Sequence, residues 1–532
     1  MASTVASAIR PSLREASSRQ QSGSPHTPTG RFVSSAQSSP GSYSFRAEED
    51  PIIIELDPRG LRAGFQGESG PQCFIPFTSQ SSRRVGDYRS FLPEFRRRRQ
   101  DLASKSKEYE LWRNDLRDVD LGLLEDKLER AVREAYNKYL LVDAGTARLV
   151  LVLPSLVPHP VLSTALTLLF ERWKYSTITL LPAPAMSIVG AGLRSGLVVE
   201  VGWEETVITA IYEYREIHVR RSVRAMKALT MKMGALLENV KKEQDESIRG
   251  SLVLDFDLVE EFVDRAGASH ALFPIPEEDL SARTKALNLE DQQRPDACGG
   301  DSASIVIDWP TDTSSRPIAV SRQALWEASL DTLVTPRTEE HRDDHEQSIS
   351  QLLYTTLLAL SSDARSICMS RIIFLGRGSS VAGLSRKVLD TTNTIISEHG
   401  WTAVRGKHMN VKRSGLAELA QGRAVPPDAR HVLNPPGTDD FVEERLFKQK
   451  SKDAPQPVTP VLRQVDSLGP WAGASLVASL KAKSFVEIER ERFLSHGLAG
   501  AHRDLDPSAL HQQRSTAAKG GERTSWTLAG WG

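Results

Sequence analysis

The sequence predicts an internally duplicated α/β fold, with two halves facing a cleft, and three observations predict it. First, two strand–acid–turn–strand units stand well apart in the chain. One runs Ile52-Ile53-Ile54-Glu55-Leu56-Asp57-Pro58-Arg59-Gly60 and continues as Arg62-Ala63-Gly64-Phe65-Gln66-Gly67-Glu68. The other runs Leu197-Val198-Val199-Glu200-Val201-Gly202-Trp203-Glu204-Glu205 and continues as a strand over 206–212. An apolar run that ends in a carboxylate, turns and returns, and does so twice, is the mark of a repeated unit. Second, the intervening residues alternate strand and helix, the order of a sheet with helices on its faces. Third, the strand expected at 371–375 leads into Gly376-Arg377-Gly378-Ser379-Ser380, a strand–turn–helix junction with Ser380 placed as a helix cap.

The elements follow in order. Residues 52–56 and 62–66 form a hairpin. The segment 88–107 is strongly basic and includes Arg96-Arg97-Arg98-Arg99. With no aromatic residue of this segment within or after the Arg96 to Arg99 run to stack a base, it reads as a solvated or partner-facing surface and not as a nucleic-acid contact. Leu124, Leu128, Val132 and Ala135 give helical spacing over 121–139. A strand is expected at 148–153, and a helix at 158–173 with proline in its first turn. A strand at 176–181, a short helix at 184–192 and a strand at 196–201 complete the alternation. Helices are expected at 223–242, 347–360, 384–397 and 472–483. Residues 274–313 and about 406–464 are polar and punctuated by proline and glycine, so they read as mobile insertions. The expected division is a serine-rich disordered tail at 1–47, a first half at 48–195, a second half at 196–493 and a flexible tail at 494–532.

The chain has 532 residues, 39% of them hydrophobic, which is enough for a large core. A formal net charge of -1 gives no global field toward nucleic acid or anionic membrane. No apolar stretch approaches the roughly 18 residues of a membrane span. Cys73, Cys298 and Cys368 are scattered, with neither disulfide-framework nor zinc-site spacing, which fits a reducing cytosol.

Four segments, in order, resemble the actin family. The hairpin with Arg62-Ala63-Gly64-Phe65-Gln66-Gly67-Glu68 resembles its first phosphate loop and the strand after it. Glu200-Val201-Gly202-Trp203-Glu204 falls where the second phosphate loop belongs. Phe374-Leu375-Gly376-Arg377-Gly378-Ser379-Ser380 is similar to the glycine-rich adenosine loop. Trp471-Ala472-Gly473-Ala474-Ser475-Leu476-Val477-Ala478-Ser479-Leu480 is very close to the C-terminal signature and is the most specific of the four. The resemblance spans roughly 51–493 and is too divergent for conventional actin. It implies the duplicated fold shared by actin, hexokinase and the heat-shock chaperone ATPases, with a nucleotide cleft between the halves.

The same resemblance implies a worn nucleotide site. Its residues would be Glu55, Arg59, Arg62, Glu200, Gly202, Gly376, Gly378, Ser379 and Ser380, around ATP or ADP with Mg²⁺. The family's Gly-Ser-Gly stands here as Asp57-Pro58-Arg59. Pro58 has no N–H to offer a phosphate, and Asp57 repels one. The family's water-orienting glutamine and histidine align with Ala183 and Val207, which cannot polarise water. Nucleotide is therefore expected to be bound without efficient turnover, or lost.

Among actin-related proteins, eroded loops, a kept C-terminal signature and a serine-rich leader most resemble the actin-related subunit at the pointed end of dynactin's short filament. That resemblance implies a cytoplasmic, cytoskeletal, non-enzymatic subunit in dynein-driven transport and nuclear positioning. Its partners would be actin-related filament subunits and pointed-end dynactin subunits, without nucleic acid, a membrane span or homopolymers. Two alternatives stay open. One is a nuclear subunit of a chromatin-remodelling complex, with Arg96 to Arg99 as its import signal. The other is an active ATPase of the same superfamily.

Overall fold

The computed structural model describes residues 51–84, 86–88, 92, 102–142, 147–244, 254–274, 304–310, 315–335, 344–401, 461–480, 486–500 and 502–503. The expected tail at 1–47, the Arg96 to Arg99 run and most of the two expected insertions lie outside these residues.

Two sheets carry the fold. In the first, β1 (Ile52–Asp57), β2 (Gly60–Phe65) and β3 (Cys73–Pro76) form an antiparallel meander, and β4 (Arg148–Leu153) lies parallel to β1 on its other side. β5 (Thr177–Pro182) extends the sheet beyond β4. In the second, β6 (Gly196–Val201), β7 (Thr206–Tyr212) and β8 (Arg215–Ser222) form a second meander. There β11 (Ile372–Leu375) lies parallel to β6, as β4 does to β1. The expected duplication is thus present as topology as well as sequence.

Side-chain alternation shows why the strands read as continuous apolar runs. Ile52, Ile54 and Leu56 join one core, while Ile53 joins another; Leu149, Leu151 and Leu153 likewise part from Val150 and Val152. In the second sheet Leu197, Val199 and Val201 face one way and Val198 the other. Both faces of these central strands are buried, so neither face is free to be polar. The outer face of the first sheet packs on α2 (Leu121–Ala135) and α3 (His159–Glu171). Asp120 caps α2, accepting from the N–H groups of Gly122 and Leu123. The outer face of the second packs on α5 (Met226–Glu243), α6 (Phe256–Ala268) and α8 (Ile349–Ala359).

Between the sheets lie α4 (Ala183–Gly190) and α11 (Gly469–Ser479). They approach so closely that a Cβ on Gly473 would sit 1.8 Å from the carbonyl oxygen of Met186. Ser475 then ties α11 to the end of the first hairpin, accepting from the Gly67 N–H at 2.9 Å and donating to the Glu68 carbonyl at 3.0 Å. The glycine and serine of the C-terminal signature therefore do packing work here.

The remaining elements are α1 (Leu102–Ser106), β9 (Ser304–Pro310), β10 (Ser315–Ser321), α7 (Arg322–Ser329), α9 (Ser362–Met369), α10 (Leu384–His399), β12 (Val486–Glu489), α12 (Arg490–His496) and β13 (His502–Arg503). Several correct the sequence reading. The insertion expected through 313 contains β9, paired antiparallel with β10 and burying Trp309. The insertion expected through 464 ends sooner: Leu462 is buried, and residues 463–465 bond along β11. The boundary that put 196–493 in the second half also fails for β12, which pairs with β5 in the first sheet. Phe493 of α12 stacks on Phe170, with ring centroids 5.0 Å apart, so the chain returns to its first half before the end of the described residues. The open edge of β5 is what receives it. No helix among the described residues is long and apolar enough to cross a membrane.

Candidate functional site

Strand alternation delivers the site. Glu55 lies two residues after Ile53, and Glu200 two residues after Val198. Both therefore lie near the ends of their strands, on the face turned toward the central layer. Their cross-strand neighbours differ. Glu55 stands opposite Arg62, whose Nη1 donates to Glu55 Oε1 at 2.9 Å and to Asp57 Oδ2 at 3.0 Å. Glu200 stands opposite Val207, and its Oε2 has no hydrogen-bond partner among the described residues. Burial, aided by Asp57, Glu205, Glu55 and Glu216, pushes the Glu200 carboxyl up to about 7. Burial also raises Glu55, and Arg62 opposes it.

The first turn is closed by its own side chain, with Asp57 Oδ1 accepting the Arg59 N–H at 2.7 Å. The hairpin so fixed sends Arg59 across the seam. Its guanidinium lies 4.3 Å from the centroid of the Trp203 ring on the second turn, and within 5.6 Å of Tyr109 and Phe256. Its Nη2 donates to Glu260 Oε1 of α6 at 2.5 Å. Its Nη1 is buried without an acceptor among the described residues, because aromatic faces surround it.

The second turn is held as firmly. The Gly202 N–H bonds the Glu205 carbonyl at 3.1 Å. The first N–H groups of α5 are consumed by the same turn, Met226 on the Gly202 carbonyl at 3.2 Å and Lys227 on the Trp203 carbonyl at 2.8 Å. These are donors that a helix start would otherwise offer to an anion. Trp203 Nε1 donates to the buried carboxylate of Glu110 at 2.7 Å, and Lys227 Nζ reaches the same carboxylate at 2.9 Å. Glu110 is held in place by the buried Lys127, whose amine bonds the carbonyls of Glu108 and Glu110. Burial lowers that amine to about 8.

The glycine-rich loop completes the arrangement. Gly376 has φ of 76°, and a Cβ there would fall 2.5 Å from the Val201 carbonyl oxygen. Gly378 is equally tight against the Val201 side chain. The hydroxyls of Ser379 and Ser380 turn back on the loop's own carbonyls, those of Gly376 at 2.7 Å and Arg377 at 2.6 Å. Arg377 pairs with Glu260 and, at 2.5 Å, with Asp264.

The structure therefore brings Glu55, Arg59, Arg62, Glu200, Gly202, Gly376 and Gly378 to one seam. Their polar and backbone groups are largely engaged with one another and with α6. Ser379 and Ser380 are near but engaged locally. Sequence reasoning missed Glu110, Lys227, Glu260 and Asp264. The last two sit on a helix legible from Asp255 followed by Phe256, Val259, Phe262, Val263 and Ala266. Ala183 is buried in the central layer among Val152, Leu181 and Trp471. Among the described residues no group of three or more His, Cys, Asp or Glu side chains is arranged to hold a metal ion.

Residues 46–258 match the family model for actin. The match supports membership of the actin family, and the paired α/β sheets are consistent with an actin-like fold.

Proposed function

We propose that this chain, with its actin-family domain, is a non-catalytic structural subunit that caps the pointed end of dynactin's short filament. It would serve dynein-driven transport and nuclear positioning. The observation that carries the non-catalytic reading is the Arg59 guanidinium on the Trp203 ring, in the gap between the two turns that face each other across the seam.

The residues present do not fit a nucleotide with its cation. Pro58 offers no N–H, and Arg59 fills the gap with a side chain already paired to Glu260. The loop that would contact adenosine carries Arg377, bridged to Glu260 and Asp264. Glu55 and Asp57 are bonded to Arg62, and burial pushes the Glu200 carboxyl up to about 7, which makes a poor ligand set for Mg²⁺. Ala183 and Val207 supply no group to orient an attacking water.

The dynactin assignment rests on the family resemblance. An actin-like subunit meets its neighbours through unlike surfaces, so a capping subunit needs one surface that refuses another copy. The basic stretch beginning at Arg83 is the candidate for that refusal. Arg84, within it, pairs with Asp120 and Asp126 on the edge of α2.

Purification of the tagged chain from its cells tests the reading. Dynactin filament and pointed-end subunits are expected in near-stoichiometric yield, and purified protein is expected to show no ATP turnover above buffer. Recovery of chromatin-remodelling subunits instead would overturn the assignment. Turnover abolished by Glu200→Gln would overturn the non-catalytic reading.

A further inference from the structure

We propose that the seam is closed by a side-chain latch, Arg59–Glu260–Arg377 over Trp203, which keeps the two halves together whether or not ATP is present. The inference rests on the non-catalytic reading of this site, and not on which complex the chain joins.

The latch is assembled from four separate chain segments. Arg59 comes from the β1–β2 turn, Trp203 from the β6–β7 turn, Glu260 from α6 and Arg377 from the loop after β11. Glu260 is the hub, since one carboxylate oxygen receives both guanidinium groups. Arg377 then continues to Asp264, one helical turn further along α6, so cations and anions alternate along the row. Arg377 is itself 5.8 Å from the Trp203 ring centroid. The indole thus lies close to both cations, while its N–H is spent on Glu110.

Arginine suits both places. Its planar group stacks on a ring and forks toward a carboxylate at once, which a lysine ammonium cannot do. The side chains of Arg59 and Glu260 are 14% and 15% exposed, so water screens the pair weakly. A second tie runs beside the first. Tyr109 stacks on Phe256 with centroids 4.7 Å apart, Glu110 holds Trp203 and Lys227, and the Asn114 N–H donates to Glu204 at 2.6 Å. Residues 109–114 therefore brace the seam along its length. In a two-halved fold that closes on a ligand, the ligand supplies the cross-seam contacts. Here protein side chains supply them, so closure has no ligand to wait for.

Hydrogen exchange on the full chain tests the latch, read at peptides covering 57–62, 201–206 and 256–268. The proteins are wild type, Arg59→Lys, Glu260→Gln and the double variant, each with and without ATP and Mg²⁺. Wild-type exchange is expected to be unchanged by ATP. Each single variant should speed exchange in all three peptides by about tenfold or more, because opening the seam frees every contributor. The double variant should be no faster than Glu260→Gln, since the two residues act through one contact. Protection of wild type by ATP, acceleration confined to the mutated segment, or additive effects would each overturn the proposal. If Glu260→Gln does not fold, Arg377→Ala replaces it, with the same three peptides and the same expectation. A change of co-purifying partner alters none of these readings, so the latch and the complex assignment fail separately.

Discussion

The two halves of this molecule each place a glutamate near the end of the first strand of their meander and give it opposite neighbours. Glu55 and Glu200 both lie near the end of a first strand, both face the central layer, and both precede a turn that meets the other across the seam. Opposite Glu55 the second strand carries Arg62; opposite Glu200 it carries Val207. The first carboxylate is paired, and the second is buried with no partner for Oε2 among the described residues. The turns then diverge in the complementary sense. The first projects a cation, Arg59, and the second receives it on an aromatic ring, Trp203. The duplicated scaffold presents a plug on one side and a socket on the other. Duplication fixes where side chains emerge, and the residue placed there decides whether the seam is a binding site or a closed joint.

The sharpest way to break that comparison is to remove the socket. Trp203→Ala deletes a buried ring that packs on Phe256, lies under Arg59 and donates to Glu110. Glu110 is then left with Lys227 at 2.9 Å and the more distant Arg113, at 3.9 Å, in a buried setting. The expected loss is about 3–5 kcal/mol of unfolding free energy, the range for a large buried aromatic. Denaturant unfolding of the full chain measures it. A loss below about 1 kcal/mol would mean that the ring is merely covered and not coupled to the charges around it.

The next effect separates the two glutamates by pH. Glu200 rises from an ordinary 4.5 to about 7 in the folded chain, so between those values the folded state holds a proton that the unfolded state has released. Stability from protonated Glu200 is therefore fully present below pH 4.5 and is lost as pH rises through about 7. The total is up to ~3 kcal/mol. In Glu200→Gln this decline should disappear, leaving a flatter profile between pH 5 and 8. An unchanged slope would transfer the titration to Glu55, Glu205 or Glu216, which burial also raises.

Much of this arrangement was legible in the residues. The runs Ile52 to Leu56 and Leu197 to Val201 read as strands because both of their faces are buried. The carboxylates that close them mark where each run meets the seam. Pro58, Ala183 and Val207 carry the expectation of a worn site through the groups they lack. What stayed hidden was long-range. The partner of Arg59 lies 201 residues away, on a helix whose apolar spacing is regular but which sits beside a polar stretch that drew the eye. Strand β9 was hidden the same way: the alternation of Ile305, Ile307 and Trp309 is clear locally and was overridden by the composition around it. The return of β12 to β5 could not be read at all, since pairing depends on which sheet edge is open.

The mildest test sharpens the comparison from the side of Glu55. Among the described residues Arg62 is the cation bonded to the first carboxylate, and its side chain is 35% exposed and lies 4.9 Å from the ring of Phe74. Solvent screens such a pair, so Arg62→Ala should cost about 1 kcal/mol or less near neutral pH. The loss should depend on pH in a definite direction. Without Arg62, Glu55, Asp57 and Glu200 repel one another with their nearest counter-charge gone, and that repulsion grows as Glu200 ionises through about 7. Unfolding measured at pH 5 and pH 8 should therefore show the smaller loss at pH 5. In a Glu200→Gln background the difference between the two pH values should shrink, because the third carboxylate no longer ionises. Equal losses at both pH values would mean that Arg62 serves Glu55 alone, and that the two halves, though facing, do not share their charge.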